Sequence, residues 1–203
     1  MLINTFEELL ALPVNTGVTQ GKPRNYKLPN MIIDWVKTET PVEFPIGSGQ
    51  WSWSVTAKTN DLQIAANMHQ NGFKMRPEYD RIKGEDGKYV NGDQTGCYLT
   101  SLRRKTQTKD GKARKPVLVF DHNVRPVENT AHVGNGSVAN INVFQYAWEF
   151  MGKAGVSTDL VGLQLVDIVH RSTEAATGFD VVVQNPINDE SSGGDNVSPA
   201  DMF

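Results

Sequence analysis

GNGSVANINVFQYAWEF, residues 134–150, opens on a glycine-rich turn and then alternates strictly. Phe144, Tyr146, Trp148 and Phe150 fall on one face, and Ile141, Val143 and Ala147 on the other, because successive side chains of a strand point to opposite faces. The aliphatic face suits the interior of a small barrel. The four rings of the other face either lie under another element or stand open as a platform.

Working outward, VGLQLVDIVHR (161–171) is a further strand. MIIDWV (31–36) and QWSWSVTAKT (50–59) are rich in β-branched and aromatic residues and read as strands, with Trp51 and Trp53 on one face. YDRIKGEDGKYV (79–90) reads as a hairpin turning at Asp86-Gly87, and LTSLRRKTQTKDGKARKPVLVF (99–120) as one turning at Asp110-Gly111. Thr5 and Glu8 have capping-box spacing ahead of a short helix that Pro13 stops. NDLQIAANMHQNG (60–72) predicts a second helix, with Asn60 as N-cap, Gly72 as stop, and Leu62, Ala65, Ala66 and His69 on one face. NTGVTQGKPRN (15–25) is loop. Five or six strands with one or two short helices predict an all-β antiparallel barrel or sandwich, of which the five-stranded Greek-key OB-fold is one. The expected organisation is a folded domain over 1–177, with 1–30 partly irregular, and an acidic disordered tail over 178–203.

The net charge of −3 hides a polarised chain. Residues 172–203 hold six acids and no Lys or Arg, while 1–171 holds 20 basic and 17 acidic residues. A basic body with an acidic tail suits nucleic-acid binding and a solvated interaction segment. The single cysteine, Cys97, allows no internal disulfide and no four-cysteine zinc site. The first residues carry Glu7 and Glu8 and lack a basic stretch, so they do not read as a signal peptide, and no apolar run is long enough to span a membrane. There is no phosphate-binding Gly-x-x-x-x-Gly-Lys loop and no His-Glu-x-x-His, and His69, His122, His132 and His170 are scattered. No cofactor, metal or catalytic residue is expected.

The binding signals are denser. RRKTQTKDGKARK (103–115) contains Arg103, Arg104, Lys105, Lys109, Lys112, Arg114 and Lys115 against one acid, Asp110. Read as two paired arms, it places Arg103, Lys105, Gln107 and Lys109 on one face as a phosphate clamp. Tyr146 and Trp148 are candidates for stacking bases, which is tolerant of sequence.

Together, Cys97-Tyr98, the basic segment 103–115, Gly134 to Gly136, Tyr146-Ala147-Trp148, Gly155-Val156-Ser157 and Leu163-Gln164-Leu165 follow one another in an order that resembles the single-stranded-DNA-binding proteins of short-tailed bacteriophages. The resemblance spans about residues 96–171 plus the acidic tail ending in Phe203. It implies an OB-fold, sequence-independent binding of single-stranded DNA, a role in replication, recombination, repair and annealing in the cytoplasm of an infected bacterium, and a homodimer. It adds Tyr98 and Lys153 to the DNA-binding set. It also implies a tail, with Asp189, Glu190, Asp195, Asp201 and Phe203, that docks on the phage DNA polymerase and helicase-primase. Two departures stand out: the tail has fewer acids than the family's runs, and the family's Pro-Tyr-Lys-Trp is Gln-Tyr-Ala-Trp at 145–148. The alternatives are an RNA-binding OB protein and a structural β-sandwich virion protein.

Overall fold

The computed structural model describes residues 2–171. In chain order these form α1 (Phe6–Leu10), β1 (Arg24–Glu43), β2 (Trp51–Thr59), α2 (Leu62–Gln70), β3 (Arg76–Lys83), β4 (Tyr89–Lys105), β5 (Leu118–Phe120), β6 (Ser137–Phe150) and β7 (Lys153–Asp167).

β6 alternates as its sequence requires. Ala139, Ile141 and Val143 are buried, and so are Leu160, Leu163 and Leu165 of β7, Met31 and Ile33 of β1, Val55 and Ala57 of β2, and Leu102 of β4. These side chains form one cluster, joined by Ala65, Ala66 and Met68 of α2. Each large aliphatic side chain so buried contributes about 1.5–3 kcal/mol relative to exposure.

The strand order is β3-β4-β2-β1-β6-β7-β5, and β4 also pairs with β7. β4, β2, β1, β6 and β7 therefore form a ring. Its antiparallel ladders run around to a seam closed by a single parallel bridge, Arg103 to Asp159. This all-β architecture is the five-stranded, partly open Greek-key arrangement of an OB-fold. β1 serves two neighbours along its 20 residues by shifting register three times, with left-handed backbone at Asn30 and Trp35. Such bulges bend a strand and tighten its twist, as a barrel of few strands requires.

Several local features differ from the expectation. α2 is capped by Asp61, whose carboxylate accepts the Gln63 and Ile64 N–H groups, and not by Asn60. Thr5 caps α1, but Glu8 reaches back to the Asn4 N–H. β7 begins at Lys153, eight residues before the expected strand, and pairs with β6 along its whole length. The connecting turn is Met151-Gly152, both at positive φ. Two-residue hairpins normally advertise themselves with Asn-Gly or Asp-Gly, and a methionine in the first position gives no such signal.

The basic hairpin is also shorter than expected. Only its tip is paired, through Gln107 and Ala113 and the bonds between Thr108 N–H and Lys112 O and between Arg114 N–H and Thr106 O. Its arms diverge: residues up to Lys105 stay on β4 against β2, while Leu118–Phe120 runs parallel to β7. The segment 178–203 assigned to the tail, and the boundary at 177, lie outside the described residues.

Candidate nucleic-acid interface

An OB barrel meets oligonucleotides on the outer face of its second and third strands and on the loops joining strands one to two and four to five. In this ring those strands are β2 and β4, and the loops are residues 44–50 and the Met151-Gly152 turn. Register fixes what the face carries. Thr56 lies beside Ser101, Ser54 beside Arg103 and Ser52 beside Lys105, while the opposite parity puts Val55 beside Leu102 in the core.

Cations on this face have few acidic partners. The Arg103 guanidinium sits over the Phe44 ring, 3.4 Å from its centroid. Burial, and then the charge of nearby Arg76, push its pKa below the usual arginine value. Such a pair of guanidiniums is relieved by an anion between them. Lys105 Nζ donates to Gln50 Oε1 at 2.9 Å, beside Trp51, which is exposed. Trp53 is buried in the core.

The seam between β4 and β7 opens below its single bridge into a groove of about 690 Å³. Lys74, Arg103, Lys105, Tyr146 and Trp148 all line it. The rings of β6 are open on this side, with Tyr146 43% and Trp148 39% exposed. Trp148 is held by its cross-strand neighbour Gly155, where a Cβ would come within 2.8 Å of the indole. The indole thus lies against bare backbone and keeps its other face to solvent. Phe144 and Tyr146 pack at 6.2 Å, tilted.

The structure separates the seven cations of 103–115. Arg104 turns toward the seam, donating to Asp159 Oδ2 at 2.9 Å and to the Lys115 carbonyl at 2.8 Å. Arg114 also donates to both Asp159 oxygens. These two guanidiniums, counted among the seven cations of the segment, tie the hairpin base to β7 through Asp159. Lys109, Lys112 and Lys115 are exposed. Lys153 is exposed at the start of β7. Tyr98 stands apart from the set: its ring stacks on Phe6 of α1 at 5.5 Å and packs on the core. Phe44, Lys74 and Arg76 join the face without having been singled out, since each arrives from a segment distant in sequence and no local pattern marks it.

Among the described residues there is no grouping of three or more His, Cys, Asp or Glu fit to hold a metal ion. No helix among them is long and apolar enough to cross a membrane.

Fold and face together describe an OB-type barrel with open rings beside cations that have no carboxylate partner among the described residues. No family model and no curated protein matches the chain. Solved structures similar to it include gp2.5, a single-stranded DNA binding protein encoded by bacteriophage T7, with a TM-score of 0.49 at 14% identity over 80% of this chain and 98% of that one. They also include the single-stranded DNA-binding protein from bacteriophage Enc34 in complex with ssDNA, with a TM-score of 0.45 at 13% identity over 70% and 86%. The same Enc34 protein described without ssDNA gives 0.44 at 12% over 77% and 90%. These structural neighbours are phage single-stranded-DNA-binding proteins.

Proposed function

We propose that this chain is a non-enzymatic protein that binds single-stranded DNA without regard to sequence. The observation that carries the reading is the seam groove, where Tyr146 and Trp148 stand open beside Lys74, Arg103 and Lys105. Rings that expose a π-face can stack any base, and cations beside them can follow the phosphates. The salt-bridged base at Asp159 holds the hairpin, so Lys109 and Lys112 reach out as a second set of phosphate contacts.

In this reading the protein acts in phage DNA replication, recombination, repair and annealing, as a homodimer in the host cytoplasm. Its segment 172–203, rich in acids, competes with DNA for the basic face. Through Phe203 the same segment recruits the DNA polymerase and helicase-primase. The test is a titration of labelled single-stranded oligonucleotide at two salt concentrations, beside a duplex and an RNA of equal sequence. The reading requires tight, salt-sensitive binding to single-stranded DNA and weak binding to duplex. Equal or tighter binding of RNA would favour the RNA-binding alternative, and salt-independent or absent binding would overturn both.

A further inference from the structure

Beyond the seam, a second groove of about 650 Å³ runs from the outer barrel face onto the ribbon formed by β3 and the first half of β4. Thr56, Arg76, Tyr79, Arg81, Asn91 and Trp35 line it. Two acids also border it, and both are already committed. Asp34 takes Lys58 Nζ at 2.8 Å and the Gly136 N–H, and Glu78 takes the same Nζ at 3.3 Å and the Thr95 hydroxyl. Arg76 and Arg81 have no carboxylate within 4 Å among the described residues, so the free charge of the groove is positive.

Trp35 is the second, independent observation. It is 64% exposed, and its backbone lies in the left-handed region at φ 53°. That conformation is costly for a bulky residue, and non-glycine strain of this kind gathers at binding sites. The bulge is fixed by Asn135, whose side-chain oxygen accepts the Trp35 N–H at 2.9 Å. The indole that results is presented to solvent over a cationic groove. The two grooves adjoin, because Arg76 of the second donates to the hydroxyl of Ser101, a residue that lines the first.

Resting on the single-stranded-DNA reading of the barrel face, we infer that the strand's path continues past the barrel onto the β3–β4 ribbon, where Trp35 and Tyr79 supply stacking surfaces and Arg76 and Arg81 supply phosphate contacts. The barrel face alone then holds a short oligonucleotide, and the ribbon engages only a longer one.

The experiment compares oligothymidylates of about 6 and about 16 nucleotides, near the short and long ends of the site sizes of one OB barrel, by fluorescence anisotropy on the full chain. The variants are Trp35→Asn, since asparagine tolerates left-handed backbone, and Arg81→Ala on the exposed ribbon, with thermal unfolding as the folding control. Each should weaken the long oligomer about ten-fold and leave the short one unchanged. Arg81→Ala should also lower the salt slope for the long oligomer by about 0.7. Arg103→Ala should weaken both lengths. Wild-type affinity of both variants for the long oligomer would overturn the extension while leaving the barrel reading intact. A wild-type protein that binds neither length would overturn both.

Discussion

At the scale of the residue, Trp148 and Gly155 are one device. A ring on an exposed strand face would ordinarily sample several rotamers. The missing Cβ opposite lets the indole lie flat on the neighbouring backbone, the way aromatic side chains cover strand glycines. Tyr146→Ala and Trp148→Ala should each weaken single-stranded DNA binding by about 1–3 kcal/mol and leave the unfolding temperature near its starting value. Gly155→Val should mimic the Trp148 loss by displacing the ring, which an oligonucleotide titration beside a melting curve would reveal. A collapse of the melting temperature with normal binding by the folded fraction would make the rings structural. Asp159 works in the opposite sense. It is buried and accepts from both Arg104 and Arg114. Asp159→Asn leaves two guanidiniums facing each other without a counter-charge and should cost about 3 kcal/mol in urea unfolding.

At the scale of the element, β4 carries both kinds of cation because its parity separates them. Arg103 and Lys105 face outward, whereas Arg104 turns toward the seam and Asp159. The triple change Arg103→Ala, Lys105→Ala and Lys109→Ala should therefore flatten the slope of log affinity against log salt by about 2, since each phosphate neutralised on a single strand contributes about 0.7. Arg104→Ala should lower stability and leave that slope largely in place. Equal slopes for the wild type and the triple variant would reduce the hairpin and its strand to a solvated arm.

At the scale of the whole molecule, charge is divided along the chain: +3 over residues 1–171 and −6 over 172–203. Attraction between two such parts of one chain is strongest at low salt, where screening is weakest. Removing the residues from 186 onward should tighten DNA binding, and the gain should shrink as salt rises. Phe203→Ala keeps every acid, so DNA affinity should hold while capture of phage polymerase or helicase-primase falls. Retained capture by that variant in a pull-down would remove Phe203 from the recruiting surface.

The sequence by itself determined the all-β class, the position of most strands and the alternation of β6. The alternation of 134–150 put Ile141, Val143 and Ala147 on one face and Tyr146 and Trp148 on the other, because a strand repeats every two residues. Ile141 and Val143 are buried, and that the rings stand open rather than under another element came only with the tertiary structure. The Asp86-Gly87 and Asp110-Gly111 turns were legible because few residues accept the backbone they require. What the tertiary structure alone decided is which charges are free and which strands meet. No local pattern says that Asp159 will receive Arg104 and Arg114, that Tyr98 will stack on Phe6, or that Phe44 will lie over Arg103. Nor does any pattern bring Arg76 beside Ser101, or turn the chain at Met151-Gly152 to pair residues 153–160 with β6. Those contacts join residues far apart in the chain. They follow from closure of the barrel, whose geometry is set by all five strands at once and is written in no single segment.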